Sequence, residues 1–232
     1  MVVIAIIKPK KNGIVINFEE KSELHNKGFQ ILESSKKVIL TGVVKIDLNY
    51  DAGDRYYIIK NKEFEVKITI DKTNKSLPEV IETSKKVDSN YHKFRKGNLC
   101  LGSSIELWQG YIASNKSITK YIDQFIIPYF FRYCCIKEYG DFPVGEYSHG
   151  DGIREAYEDI LGIKEKDKII SILEFYLGNK NMLCPCGSGL KFRECHYSQI
   201  HLKLSKVSKQ VLKKDMKTLK KLKSKKFYKK FI

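Results

Sequence analysis

Hydrophobic and polar residues alternate along the first third of the chain in the pattern that extended strands produce. Val38 to Asp47 is apolar and β-branched, and Tyr56 to Ile59 follows a turn at residues 51–54. Phe64 to Ile70 then alternates between apolar and polar side chains, which predicts one buried and one solvated face. These three segments predict an antiparallel sheet meander, and the polar stretch over residues 76–98 is predicted to be irregular.

The hydrophobic spacing becomes helical after Ser117, which is a suitable N-cap. Apolar residues from Ile118 to Tyr133 recur at the period of a helix, and Pro128 is expected to kink or split it. Two shorter helices are predicted at Ile153 to Leu161 and at Lys166 to Leu177. The predicted fold class is therefore α+β, with an antiparallel sheet meander followed by helices.

A set of metal-binding side chains follows the last of these helices. The stretch from Cys184 to His196 reads CPCGSGLKFRECH and supplies three thiols and one imidazole. These donors suit tetrahedral zinc, and the Gly-Ser-Gly turn lets the two halves of the stretch meet on one ion. The predicted ligands are Cys184, Cys186, Cys195 and His196. His201 is the only plausible substitute ligand and is more typical of a surface residue.

This stretch resembles the SEC-C zinc motif, found near the C-terminus of the bacterial preprotein translocase motor and in many unrelated bacterial proteins. The shared features are Pro185, the Gly-Ser-Gly turn and Lys191-Phe192 before the Cys-His pair. The resemblance implies a closed, structural Zn²⁺ site, because the protein fills all four positions of the ion. It also divides the chain into an α+β domain (1–178), the zinc motif (179–200) and a lysine-rich amphipathic tail (201–232).

The net charge of +16 is concentrated in that tail. Residues 201–232 hold 13 lysines and one acid, Asp215, so the tail carries +12 and the first 200 residues only +4. Apolar residues from Leu204 to Leu222 recur at helical spacing and predict a basic amphipathic helix. Three roles stay open for it: a solvated helix, a ligand for nucleic-acid phosphates, and an anchor on an anionic membrane.

The composition, 42% hydrophobic and 12% aromatic, is typical of a globular protein. The wholly apolar runs are far shorter than the ~18–20 residues that span a bilayer. Met1 to Ile7 is apolar, but lysines follow it rather than precede it, which differs from a signal peptide. Together with the thiolate-rich zinc motif, this favours a cytoplasmic protein.

A second resemblance rests on the order of features around Cys100. Strands, a stretch with Pro78, His92, the run GNLCL at residues 97–101 and then Trp108 follow the layout of ubiquitin-conjugating enzymes. The resemblance implies that Cys100 is a nucleophile that forms a thioester with the C-terminus of a partner protein. It also implies that His92 takes the place of the histidine in the family's His-Pro-Asn element.

Lys93 and Phe94 stand where that family has the proline and the asparagine. The asparagine that supports the oxyanion is therefore unassigned, and Asn98 and Asn90 are the candidates. Divergent bacterial proteins of this fold occur beside antiphage signalling genes of the cyclic-oligonucleotide type. The resemblance implies a transferase in such a defence system.

The residues alone leave Cys100 with two roles. The basic side chains of Lys93, Arg95 and Lys96 favour a thiolate, whereas a cysteine without a partner is most often a small buried hydrophobe. The alternative function is a non-catalytic zinc-binding adaptor, which docks an acidic protein, nucleic acid or membrane through the zinc motif and the basic tail.

Two further groups of residues carry chemistry. Glu146, His149 and Asp151 share a polar loop and predict either an acid–base cluster or a loop whose aspartate caps the next helix. Cys134 and Cys135 fall within the aromatic helix and are expected in the core.

Overall fold

A four-stranded antiparallel sheet, one helix before it and the remaining helices after it together make up most of the described residues. The computed structural model describes residues 16, 18–73, 76–142 and 152–222. The strands are β1 (Gln30–Glu33), β2 (Lys37–Asp51), β3 (Tyr56–Asp71) and β4 (Glu79–Glu82). The helices are α1 (Phe18–Asn26), α2 (Ser104–Ala113), α3 (Ile118–Tyr121), α4 (Ile127–Tyr139), α5 (Gly152–Leu161), α6 (Lys166–Leu177), α7 (Tyr197–Leu204) and α8 (Lys209–Lys221). The predicted antiparallel sheet followed by helices is confirmed.

The sheet is a meander in which each strand pairs with the next one along the chain. β2 and β3 form the long central ladder, in which Leu40 lies opposite Ile68. The alternating residues of β3 face the core, and none of them exposes more than 4% of its surface: Phe64, Val66, Ile68 and Ile70. The buried face predicted from the two-residue period is therefore confirmed.

The prediction of separate strands at Tyr56 to Ile59 and Phe64 to Ile70 is wrong, because both segments belong to β3. Main-chain pairing continues through the polar residues between them, since a ladder of N–H and C=O groups needs no apolar side chain. A register shift between Ile46 and Leu48 and the left-handed Asn61 (φ 54°) absorb the irregularity. β1 and β4 were missed because each is only four residues long.

The predicted helix after Ser117 is confirmed, and it is split near Pro128. The Ser117 hydroxyl accepts a hydrogen bond from the Lys120 N–H (3.3 Å) and caps α3. A π-helical turn, Ile122–Ile126, then joins α3 to α4. Pro128 lies in the first turn of α4, where its missing N–H costs least.

Two hydrophobic cores share helix α2. The first joins the sheet to α3 and α4. The second joins α5, α6, α7 and α8 to the segment that contains Cys184 and Phe192. Tyr111 of α2 belongs to the first core, and Ile105 and Trp108 belong to the second. The Trp108 indole N–H also donates to the carbonyl of Lys206 (2.8 Å), so α2 is bonded directly to the chain between α7 and α8.

The predicted single basic helix is two helices, because the chain turns at residues 205–208 between α7 and α8. Its apolar stripe packs into the second core, where Leu204, Leu212 and Leu219 are fully buried. The lysines of α8 point outward. Residues 223–232 of the predicted tail lie outside the described residues. In the described ranges no helix combines the length and the apolarity needed to cross a membrane.

Asp215 on α8 is buried at the junction of three helices. Its carboxylate accepts hydrogen bonds from the hydroxyls of Ser104 on α2 (2.5 Å) and Tyr157 on α5 (3.0 Å). Burial raises the pKa of Asp215, and the two hydroxyls only partly offset this effect. Ser104 lies four residues beyond Cys100, so Asp215 holds the segment that follows this cysteine.

Two substitutions of Asp215 distinguish the stability that its hydrogen bonds contribute from the effect of its negative charge. We expect Asp215→Ala to lower the free energy of unfolding by about 2–3 kcal/mol, because the buried Tyr157 hydroxyl and the half-buried Ser104 hydroxyl lose their acceptor. Asp215→Asn keeps an acceptor of the same shape and should cost less than Asp215→Ala. Chemical denaturation of the three proteins at one pH measures both differences.

The charge of Asp215 should appear in the pH dependence of the same measurement. Its pKa is higher in the folded than in the unfolded chain, so the folded state holds the proton more tightly. Stability from this group is present at low pH and falls as the pH rises above ~4. The stability of wild type relative to Asp215→Asn should therefore decrease from acidic to neutral pH; a difference independent of pH would contradict this.

Candidate functional site

The segment around the predicted metal ligands is a short hairpin that closes on itself. Leu183 pairs with Lys191, and the Cys184 N–H donates to the carbonyl of Leu190 (2.8 Å). Gly187 and Gly189 have φ values of 82° and 76°, a left-handed conformation that glycine adopts without strain. A 3₁₀ turn, Phe192–Glu194, then carries Cys195 and His196 back toward the first two cysteines.

The four predicted ligands converge. Their donor atoms all lie within 4.8 Å of one another. The Sγ atoms of Cys186 and Cys195 are 3.6 Å apart, and His196 Nδ1 lies 3.2 Å from Cys184 Sγ and 3.1 Å from Cys195 Sγ. Zn–S bonds of about 2.3 Å in a tetrahedron put two sulfurs about 3.8 Å apart. The donor set and its spacing therefore fit a zinc ion, with Nδ1 as the nitrogen ligand.

The thiols of Cys184 and Cys186 lie in different environments, which shift their pKa values in opposite directions. Hydrogen bonds from the side chain and the N–H of Ser188 lower the pKa of the Cys186 thiol to about 6. Burial raises the pKa of the Cys184 thiol to about 11. A cation between the sulfurs favours the thiolate form of every cysteine ligand, so metal binding would release the proton that Cys184 holds at neutral pH.

Residues 181–198 match the SEC-C motif. They carry the four converging ligands, which confirms the predicted resemblance for this segment. No curated protein and no solved structure matches the chain. The likeness of the preceding residues to ubiquitin-conjugating enzymes therefore stays a prediction.

The SEC-C segment is built into the second core. Phe192 is fully buried, and only 5% of Cys184 is exposed. The Phe192 ring packs edge-on against Phe175 of α6. The Arg193 N–H donates to the carbonyl of Lys180 (2.9 Å), which ties the segment to the chain that leaves α6. A metal ion at this site would therefore stabilise the packing of α6 and α7 as well as the hairpin.

His201 is not part of the ligand cluster. Its Nδ1 lies 3.1 Å from the Tyr176 hydroxyl, and its ring stacks on Tyr197 with 5.4 Å between centroids. It is exposed, as expected from the sequence. The predicted loop cluster of Glu146, His149 and Asp151 lies outside the described residues.

Removing one ligand should remove the metal. We expect the wild-type protein to carry about one zinc ion per chain, and Cys195→Ser to lose it because a hydroxyl is a poor substitute for a thiolate. Elemental analysis of the purified proteins measures the zinc content, and Cys100→Ser is the matched control that should keep it. Full zinc occupancy in Cys195→Ser would contradict the assignment.

Cys100 and His92 are brought together on a second hairpin, which we call the Cys100 hairpin (residues 92–100). The Cys100 N–H donates to the carbonyl of His92 (2.6 Å), and Lys93 pairs with Leu99. The Leu99 N–H donates to the carbonyl of Val80 (2.7 Å), which attaches the hairpin to β4. Cys100 and His92 are both partly exposed.

A buried ion pair anchors this hairpin. The ammonium of Lys93 lies 3.2 Å from the carboxylate of Glu82, whose side chain has no exposed surface. Burial alone would raise the pKa of Glu82, but hydrogen bonds from Ser84, the Lys86 N–H and Lys93 outweigh it and lower that pKa. Glu82 therefore stays ionised and holds Lys93 in place.

Sequence reasoning missed Glu82, although a signal was present. In β4 the alternation places Glu82 on the same buried face as Val80. A carboxylate on such a face needs a cationic partner. Tyr129 of α4, also missed, supports the hairpin from below with a hydrogen bond from its hydroxyl to the carbonyl of Tyr91 (3.2 Å).

The remaining cysteines are buried, as the sequence predicts. Cys134 exposes 4% of its surface and Cys135 none. Burial raises the pKa of Cys134 to about 11 and that of Cys135 to about 12. Outside the SEC-C segment, Cys100 is therefore the only cysteine with more than a trace of exposed surface, since all six cysteines of the chain are in described residues.

Alkylation should distinguish these thiols. With zinc bound, we expect iodoacetamide at a pH of about 7.5 to modify Cys100 at least ~10-fold faster than Cys134 or Cys135, because only the thiolate reacts and burial disfavours it. Peptide mass spectrometry over a time course measures the three rates. Similar rates at Cys100 and Cys134 would show that Cys100 is as inaccessible as the core thiols.

Proposed function

We propose that the protein transfers the C-terminus of a partner protein through a thioester on Cys100, as in a divergent ubiquitin-conjugating enzyme. The observation that carries the proposal is the position of Cys100. It is the partly exposed cysteine outside the SEC-C segment, and it lies beside His92 on a hairpin directly after the four-stranded meander. A role in antiphage defence belongs to the same proposal and rests on the resemblance alone.

Thioester transfer requires few catalytic groups at the site. The Cys100 thiolate attacks an activated acyl group at the partner's C-terminus, a C–S bond forms, and the activating group leaves. An amine then attacks the thioester, and the Cys100 thiolate is released as the new amide forms. Each step needs an accessible thiolate and a donor for the oxyanion, and no triad, because the thioester is already reactive.

The surroundings of Cys100 support this chemistry. Cys100 ends a hairpin in which its own N–H donates to His92 and the Leu99 N–H donates to Val80, and the Glu82–Lys93 ion pair anchors the other arm. Such anchoring fixes the direction from which an acyl group must approach. Asn98, two residues before Cys100, is the candidate oxyanion donor nearest in sequence, and it is partly exposed.

The zinc ion has a structural role in this proposal. The four SEC-C ligands leave no position for a catalytic water, and Phe192 and Cys184 join the metal site to the second core. The second core also contains α2, which begins four residues after Cys100. Zinc would thus stabilise the helix that supports the nucleophile's segment.

A defined adduct tests the proposal. Wild-type protein, Cys100→Ser and Cys100→Ala are each incubated with ATP and lysate of the source cell, purified, digested and mapped by mass spectrometry. We expect a foreign C-terminal peptide on Cys100 that dithiothreitol releases. In Cys100→Ser the same peptide should remain on the introduced hydroxyl after dithiothreitol because an oxyester resists thiols, and it should be absent from Cys100→Ala. The absence of any such peptide on Cys100 under these conditions would contradict the proposal.

A second candidate function is the non-catalytic adaptor, and one observation favours it. Met182, Leu183 and Leu190 of the SEC-C hairpin expose 50%, 67% and 51% of their surfaces. Exposed apolar side chains on a rigid turn are typical of protein docking sites. With the nearby basic side chains Lys191 and Arg193, this surface suits an acidic protein. Nucleic acid and an anionic membrane remain the alternative partners of the basic residues 201–232.

A further inference from the structure

The net positive charge of the first 200 residues lies in the segment that leads to Cys100. Residues 85–100 contain one acid, Asp88, and five basic side chains, a net charge of +4: Lys85, Lys86, Lys93, Arg95 and Lys96. The first 200 residues as a whole also carry +4, so the rest of them is neutral overall. A local excess of one sign beside a reactive group attracts substrates of the opposite sign.

Part of this charge is neutralised and part is presented to solvent. Lys93 is neutralised by the buried Glu82. The segment's one acid, Asp88, is paired with Lys137, which lies outside the segment. Arg95 and Lys96 are exposed at the tip of the Cys100 hairpin, and within the described residues no ion pair holds either of them. These two cations are therefore available to a ligand.

The tip is a hydrogen-bonded turn that carries an apolar side chain. The Phe94 N–H donates to the carbonyl of Asn98 and the Gly97 N–H to the carbonyl of Phe94, both at 2.8 Å. Gly97 has a φ of 85°, which closes the turn. Phe94 nevertheless exposes 58% of its surface. An exposed aromatic residue on a fixed turn, flanked by cations, suits a ligand with both an apolar and an anionic group.

The tip is also close to the nucleophile. Phe94 lies opposite Asn98, which is two residues from Cys100, or about 7 Å along an extended strand. Arg95 and Lys96 follow Phe94 directly, so their main chain is one to two residues further along, about 10–14 Å from Cys100. The Debye length is about 30 Å at about 0.01 M salt, so at low salt the charges of the tip act on a group that approaches Cys100.

We propose that Phe94, Arg95 and Lys96 form the recognition element for the acyl donor of Cys100, and that this donor bears acidic residues and one apolar residue just before its C-terminus. The inference rests on the proposed function and adds the class of substrate to it. Recognition leaves the chemistry unchanged: the Cys100 thiolate forms a C–S bond to the acyl carbon, the donor's own C–S bond breaks, and the released thiolate takes up a proton equal to the one that Cys100 lost to solvent.

Synthetic peptide thioesters test the inference without the natural partner. Two N-acetylated peptide S-ethyl thioesters end in the same Leu-Gly-Gly and differ only in the four preceding residues, which are Asp and Glu in one and Lys and Arg in the other. We expect the acidic peptide to acylate Cys100 about five-fold faster at low salt, because its acidic residues are attracted by Arg95 and Lys96. Near 1 M salt, where the Debye length is only about 3 Å, the ratio should approach one.

Charge reversal at the tip has a matched control. Arg95→Glu/Lys96→Glu should abolish or invert the preference, whereas Lys213→Glu/Lys217→Glu on the exposed face of α8 changes the net charge equally and should keep it. Phe94→Ala should slow the acidic peptide with leucine more than a version with serine in its place. Equal rates for the two peptides in wild type, or a preference that survives the charge reversal at the tip, would overturn the inference.

Failure of the proposed function gives a different result. If Cys100 reacts with iodoacetamide but with neither peptide thioester, the thioester function loses its support. In that case the effect of the tip's charge is tested by alkylating Cys100 with the anionic iodoacetate and with the neutral iodoacetamide and taking the ratio of the two rates. This ratio should fall in Arg95→Glu/Lys96→Glu, and an unchanged ratio would contradict the recognition element itself.

Discussion

Helix α2 is packed by both hydrophobic cores, and the arrangement of the two candidate sites depends on this packing. Its N-terminus follows Cys100 by four residues, Tyr111 packs with the sheet and α4, and Trp108 packs with the helices around the SEC-C segment. The hydrogen bond from Ser104 to the buried Asp215 closes the same connection. One helix therefore belongs to both cores and connects the SEC-C segment with the segment that carries Cys100.

The Cys100 hairpin is the second constraint. A hairpin of this size is marginal in water, so it needs support from the rest of the fold. That support is both apolar and polar: Leu99 is buried in the first core, and the polar part comes from main-chain bonds to β4, the Tyr129 hydroxyl and the buried Glu82–Lys93 pair. A buried ion pair adds little net stability but fixes geometry, because either charge left alone would be costly. The result is that Cys100 and the basic tip lie on one hydrogen-bonded hairpin.

Periodic segments were predictable, and short or polar segments were not. The alternation of Phe64 to Ile70, the helix at Lys166 to Leu177 and the four SEC-C ligands follow from spacing, since each side chain's direction is determined by local geometry. The four-residue strands β1 and β4 have too few residues to show a period. The basic stripe from Leu204 to Leu222 was predicted as one helix. The structure breaks it at residues 205–208, where the Ser208 hydroxyl caps α8 and both helices pack into the second core.

By itself, the sequence determined the antiparallel sheet followed by helices, the metal-ligating set and the position of the basic charges. These are local properties, set by residue type and by the spacing of neighbours along the chain. The tertiary structure alone decided that Glu82 pairs with Lys93, that Asp215 joins three helices, and that Cys100 remains partly exposed while Cys134 and Cys135 are buried. Burial and ion pairing depend on residues distant in sequence, and no local pattern records which of them the fold brings together.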